Sequence, residues 1–244
     1  MAYPLATTNG TLHTSISYPE GSRQAALFSY AQGNAPGTEL SPPQTQILGE
    51  AVAQIHVAAD QFSPTGTRQE MDLEYLLDAS LNALKGFLSK SQYASIAQIS
   101  KTIKQQMPTI ARHRPFWGIC IGDVNSSNFH LDDNNAITLF DFDQCGYSWR
   151  AFEFGKFFST ILSRDCKQEL MRTFIQGYQK VRYLSDDEKT AIPLLIKAAI
   201  IWVMAIQVYN AELIGHKWLN SEYWQKRINK LLKLDDDPMV KSAY

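Results

Sequence analysis

The chain has 244 residues, 45% of them hydrophobic, with 23 basic side chains against 24 acidic ones. That is enough apolar material to bury a core in one large domain or two small ones, which excludes wholesale disorder. A formal net charge of -1 excludes a general nucleic-acid binder, which needs a basic face to displace phosphate counterions.

Three cysteines (Cys120, Cys145, Cys166) form no C-x-x-C pair, so neither a disulfide framework nor a zinc knuckle is expected and a reducing, cytoplasmic setting fits. Met1-Ala2-Tyr3-Pro4 opens no apolar signal run. The most apolar stretch, Ala198 to Ile206, is bounded by Lys197 and Gln207 and falls short of the ~20 residues of a membrane span. It reads as a buried helix of a soluble protein, with no membrane partner.

In chain order, Leu12, Thr14 and Ile16 alternate with His13, Ser15 and Ser17. A turn at Pro19-Glu20-Gly21-Ser22 and an apolar run from Ala25 to Phe28 then predict a hairpin. The stretch from Gln32 to Gly37 is a connector. Ser41-Pro42-Pro43-Gln44 signals a helix start that runs to about Asp60. Two more helices are expected at about 69–88 and 91–112. After Pro115 the period changes: Trp117–Ile121, Phe129–Leu131 and Ala136–Phe140 read as short strands, the last two joined by the turn Asp132-Asp133-Asn134-Asn135. Helices at about 149–163, 166–181, 186–214 and 219–233 follow, with Pro193 predicting a late start or a kink in the third. Asp235-Asp236-Asp237 reads as a solvated tail.

The chemistry-bearing residues gather at 121–143. Asp123 and Asn128 sit five apart on a polar loop leaving an apolar strand, and Asp141 and Asp143 follow the next strand. Hairpin pairing brings Asn128 and Asp141 to one end. A carboxamide oxygen beside a carboxylate is a hard-oxygen half-site suited to Mg²⁺, and Asp123 is placed to accept a hydroxyl proton. His56 reads as a packing histidine, His130 as a surface one, and Cys120 and Cys145 as small buried hydrophobes. Core packing accounts for most of Trp202, Tyr209, Trp218, Tyr223 and Trp224, with one or two left to line a substrate cleft.

The D-x-x-x-x-N step, followed thirteen residues later by Asp141-Phe142-Asp143, resembles the aminoglycoside phosphotransferase and choline kinase superfamily. The run Leu139 to Glu153 is similar to its homoserine-kinase-like and stress-response-kinase-like branch, and Leu48-Gly49 through His56 resembles the helix after that family's hinge. The resemblance covers roughly residues 10–235. It implies an α+β, protein-kinase-like two-lobe fold: residues 1–40 as a reduced β lobe and hinge, 41–235 as a helical lobe with a catalytic hairpin at 117–143, and 236–244 as a tail. It implies ATP as co-substrate, Asp123 as catalytic base, Asn128 and Asp141 as Mg²⁺ ligands with Asp143 in support, and Phe28-Ser29-Tyr30 as the adenine-binding hinge. Glu153, where relatives often carry Asp, would brace the catalytic loop. The acceptor would be a hydroxyl of a small molecule or of a protein Ser/Thr.

Two departures from the family stand out. Ile121 occupies the place of a histidine two residues before the base, and no lysine precedes Lys85, so the phosphate-contacting lysine and its Gly-rich loop have no counterpart. Two functional readings follow: an ATP/Mg²⁺-dependent phosphotransferase, or a kinase-like binding scaffold or fragment. A front edge at residues 11–18 left open would favour a homodimer or a partner chain.

Overall fold

A computed structural model describes residues 1–19, 21–63 and 66–234, apart from the side chains of residues 212–214. The acidic tail at 235–237, the C-terminal tail and Glu20 of the first turn lie outside the described residues. The chain divides into two compact units. One comprises Met1–Leu40 with Ser126–Asp141, and the other Ser41–Asn125 with the chain from Phe142 onward.

In the first unit, β1 (Thr14–Tyr18) pairs antiparallel with β2 (Gly21–Ala25), so the second strand starts earlier than Ala25. Gly21 has a φ of +132°, a conformation open to glycine, and lets β2 begin straight after the turn. Residues 3–5 pair with 27–29: Leu5 N–H donates to the Leu27 carbonyl at 2.7 Å and Ser29 N–H to the Tyr3 carbonyl at 2.9 Å. The second hairpin is β4 (Phe129–Leu131) against β5 (Ile137–Leu139), in the register Phe129↔Leu139, His130↔Thr138 and Leu131↔Ile137. Its turn is the expected one, since Asp132 Oδ1 accepts from the N–H groups of Asn134 and Ala136, both at 2.8 Å.

The second unit is helical. Helix α1 (Pro42–Asp60) starts at the foreseen cap, where Ser41 N–H donates to Gln44 Oε1 at 3.0 Å. The helix expected over 69–88 begins only at a π-helical turn, Glu74–Ala79, which leads into α2 (Ser80–Leu84). Residues 69–71 are extended instead, because Met71 N–H donates to the Tyr147 carbonyl and Tyr147 N–H to the Gln69 carbonyl. Helix α3 (Lys90–Gln106) ends six residues early, since Pro108 disfavours helical geometry at Met107, which has ψ 121°.

Strand β3 (Trp117–Cys120) pairs with a strand the sequence did not suggest, β6 (Gly146–Trp149). Helix α4 (Ala151–Ile161) therefore starts two residues later than expected. Then come α5 (Lys167–Gln179), α6 (Asp186–Ile214) and α7 (Ser221–Lys233). Pro193 delays nothing: α6 begins at Asp186, where Ser185 and Glu188 form a capping box, and runs on through the proline. By length and composition α6 is apolar enough to cross a membrane over Asp186–Ala211, which corrects the nine-residue reading, yet 78% of its most apolar window is buried in the protein.

Helices α1 and α5 approach through glycine. A Cβ at Gly177 would stand 1.9 Å from the Gln46 carbonyl oxygen, and one at Gly49 would stand 2.1 Å from that of Phe174. Gly155 does the same for α4 against Leu195 of α6. Around these contacts Phe152, Phe154, Phe157, Phe158, Phe174 and Tyr178 are fully buried, with ring centroids as close as 4.7 Å.

Candidate functional site

In the first unit, pairing continues one step beyond the hairpin, with Phe140 N–H donating to the Asn128 carbonyl at 3.0 Å. Asn128 is thus opposite Phe140 and next to Asp141, as the strand register required. Asp141 has a φ of +61°, a left-handed conformation rare for any residue but glycine, asparagine or aspartate. It is exposed, and backbone strain of this kind persists where the surroundings fix it. By the chemistry of their side chains, a carboxylate and a carboxamide oxygen are a donor set that fits Mg²⁺.

The stretch Phe28-Ser29-Tyr30 is in the same unit. Phe28 bridges Pro4, Ser29 N–H is engaged by Tyr3, and Tyr30 is exposed. His130 is half-buried rather than superficial, its Nδ1 2.8 Å from the Ala31 carbonyl and its ring edge-on to Tyr30 and Phe140. The chain bends at Gly33 (φ +82°), where any side chain would collide with the Leu131 carbonyl.

In the second unit, Asp123 follows β3 on a loop that turns at Gly122. A φ of +83° and a Cβ position 2.2 Å from the Gln144 carbonyl restrict that residue to glycine. Glu153 of α4 is fully buried, and its Oε1 accepts the N–H groups of Ile121 and, at 3.2 Å, of Gly122. The expected bracing of the loop by Glu153 is therefore present in the geometry. Burial pushes the Glu153 carboxyl up to about 7, against the opposing pull of those two N–H groups and of the Arg150 and Lys156 charges. One turn further along α4, Lys156 is 4% exposed and its ammonium is ion-paired to Asp123 Oδ1. Asp143 lies exposed in the turn after Phe142.

Behind the loop lies a charged core that the sequence did not announce. Arg150 is completely buried; its Nη2 is 2.8 Å from Asp60 Oδ1 and its Nη1 donates to the Ile119 carbonyl. Gly118 leaves room for that guanidinium, since a Cβ there would meet Nη2 at 2.4 Å. Arg182 holds the other oxygen of Asp60 at 2.7 Å. Burial would push the Asp60 carboxyl up, but the bonds from Arg182 and Arg150 hold it below its ordinary value.

His56 packs as expected, with Nδ1 2.9 Å from the Tyr178 hydroxyl, and burial together with the Arg150 and Arg182 charges holds its pKa well below the usual range. Ligand atoms of His56, Cys120 and Glu153 lie within 4.8 Å of one another. The buried Arg150 guanidinium already supplies positive charge there, and burial drives the Cys120 thiol strongly up, which favours a packed polar core over a cation site. On the late helices Trp202 and Trp224 are buried and Tyr209 is exposed, as is Trp218 in the turn between α6 and α7.

Asp123 thus follows β3 on a loop that only glycine at 122 permits, and Asn128 lies next to Asp141 in the backbone register of the second hairpin. The chain belongs to the phosphotransferase enzyme family, whose model matches residues 6–191. It is 36% identical over 236 residues to the protein sll1119 of Synechocystis sp., a match covering 96% of this chain and 65% of that one. A homoserine kinase of Afipia carboxidovorans is 25% identical over 212 residues, covering 81% and 58%. Among solved structures, the amicoumacin kinase hAmiN in complex with AMP-PNP, Ca²⁺ and Ami superposes with a TM-score of 0.78 at 19% identity, covering 98% of this chain and 73% of that one. That likeness establishes the kinase-like α+β fold. The chain spans about two thirds of the length of its relatives.

Proposed function

We propose that this chain transfers the γ-phosphoryl group of ATP to the hydroxyl of a small molecule, in the manner of the small-molecule kinases it resembles, and does so in the cytoplasm. The observation that carries the reading is the placement of Asn128 beside Asp141 at one end of the second hairpin. Those two residues would hold Mg²⁺ with support from Asp143, and the ion would supply positive charge to the ATP phosphates.

Asp123 orients the acceptor hydroxyl and receives its proton. The acceptor oxygen forms a bond to the γ-phosphorus while the bond from that phosphorus to the bridging oxygen breaks, and ADP leaves with the electron pair. The loose transition state asks for orientation more than for a strong base, so an ordinary carboxylate suffices. Glu153 fixes the backbone from which Asp123 projects. Phe28-Ser29-Tyr30 would meet the adenine through backbone groups.

Calorimetric titration with MgATP tests the assignment. Wild type is expected to bind, and Asp141→Asn, which keeps the residue's tolerance of its backbone conformation while losing the charge, is expected to bind far more weakly. Equal binding by both would remove Asp141 from the metal site.

A second reading, a kinase-like binding scaffold, is favoured by Ile121, which stands two residues before Asp123. A folded wild-type chain that takes up no MgATP would select it. The exposed β1 strand further supports pairing with a second copy of the chain. A monomeric mass by light scattering would dismiss that pairing.

A further inference from the structure

Lys156 stands in the middle of an apolar run, Phe154-Gly155-Lys156-Phe157-Phe158, and is only 4% exposed. A lysine in such a position loses the hydration of its ammonium, and an apolar residue of the same length would pack there at lower cost. Its compensation is the ion pair with Asp123 Oδ1. Glu153 lies three residues earlier, on the same face of α4, and binds the N–H groups of Ile121 and Gly122. One face of one helix therefore grips three consecutive residues of the loop, two by their backbone and the third by its side chain.

The helix that does the gripping is itself fixed. Gly155 brings α4 against the Leu195 backbone, and Phe154, Phe157 and Phe158 lock into the aromatic core. A carboxylate with one oxygen held by a buried ammonium on a rigid helix has fewer orientations open to it than one free in solvent.

We infer that Lys156 is a positioning residue for phosphoryl transfer, orienting the carboxylate of Asp123 toward the acceptor hydroxyl. The inference rests on Asp123 being the proton acceptor. It also carries an electrostatic consequence. Before transfer the Lys156–Asp123 pair is neutral; once Asp123 has taken the hydroxyl proton the pair bears one positive charge, which opposes the negative charge moving with the phosphoryl group.

The test compares Lys156→Met, Lys156→Arg, Asp123→Ala and the double variant Asp123→Ala/Lys156→Met. Each is assayed for MgATP affinity by calorimetry and for ADP release from MgATP, with water and with L-homoserine as the supplied acceptors. Lys156→Met is expected to lower kcat by about 10- to 100-fold, in line with the effect of misplacing a reacting group. Its MgATP affinity should stay within about twofold of wild type, since a group acting in the transfer step alone leaves nucleotide binding alone. Lys156→Arg should restore part of the loss. In the Asp123→Ala background the lysine substitution should add less than twofold, because the residue it positions is gone.

Wild-type kcat in Lys156→Met, alongside an inactive Asp123→Ala, would overturn the role of Lys156 and leave the base assignment standing. Unchanged turnover in Asp123→Ala, or no ADP release by wild type with either acceptor, would overturn the base assignment and this inference with it. Should Lys156→Met fail to fold, Lys156→Gln, which retains a polar tip, is read by the same criteria.

Discussion

All five residues of β1 are exposed, whereas ten of the eleven residues of α4 are buried. Nine of the sixteen large hydrophobic side chains left exposed among the described residues fall within the first thirty positions, so apolar character there is not converted into a core. In the helical unit most of the same character goes into a core, down to helix pairs that meet through Gly49, Gly155 and Gly177. The proposed chemistry divides along the same line. The metal-handling pair, Asn128 and Asp141, belongs to the thin β unit and depends on hairpin register and one strained φ. The proton-handling Asp123 belongs to the helical unit and is held by buried side chains of α4. A two-stranded hairpin alone is marginal in water, so stability must come from the helices.

The largest expected effect is chemical. Asp123→Ala should cut kcat by about 10²- to 10⁴-fold, the usual contribution of a positioned general base, with MgATP affinity little changed. Nucleotide affinity and turnover lost together would mean that Asp123 serves binding, and the division between the two units would fail.

Next comes packing in the helical unit. Gly177→Leu would drive a side chain into the Gln46 carbonyl, where even a Cβ lies at 1.9 Å. Phe154→Ala would open a cavity among Phe158, Phe174 and Tyr178. Phe154→Ala should lose about 3–5 kcal/mol by urea denaturation, and Gly177→Leu should fail to fold or lose comparably. A loss under 1 kcal/mol for both would mean that the helix contacts are looser than drawn.

Much of this was legible in the sequence where the signal is local. Ser41-Pro42-Pro43-Gln44 announces α1, and the alternation around Asp132–Asn135 announces the hairpin that joins Asn128 to Asp141. The failures come from partners distant in the chain. Gly146–Trp149 is too short to show a period and becomes a strand only through β3. Residues 69–71 stay extended because Tyr147 takes their backbone groups, with Asp72 Oδ1 then accepting from Tyr75 N–H at the delayed helix start. Lys156 was missed for a similar reason: a single lysine in an apolar run gives no hint of its carboxylate partner thirty-three positions away. Arg150 and Arg182 converge on Asp60 from distant segments, and spacing alone could not reveal it.

A smaller effect concerns pH. The Glu153 carboxyl is raised from 4.5 to about 7, so the folded chain binds that proton more tightly than the unfolded one, and this group's contribution to stability falls as pH climbs from about 4.5 to about 7. His56 acts in the opposite sense. Its folded pKa lies below 6.5, so its contribution is complete above that pH and is lost as pH falls. Glu153→Gln keeps an oxygen for the Ile121 and Gly122 N–H groups but removes the titration. Relative to wild type, the variant should gain stability between pH 5 and pH 7.5, by on the order of 2 kcal/mol in denaturant titrations. Parallel profiles for the two proteins would show that Glu153 does not titrate in this range.

The smallest effect lies on β1. Ile16 is 40% exposed, opposite Arg23 on a strand whose neighbours are all exposed. Replacing it with Ser removes apolar surface that water already reaches, so the stability of an isolated chain should change by less than about 0.5 kcal/mol. That near-silence is informative because it separates two origins for the exposed strand. If β1 is only a solvated edge, Ile16→Ser leaves both the melting temperature and the mass in solution unchanged at every protein concentration. If β1 pairs with a second copy, wild type melts higher as its concentration rises and the variant does not, since association with the folded state alone stabilises it by mass action. A concentration-independent melting temperature for wild type would make the exposed face of the β unit a property of the single chain.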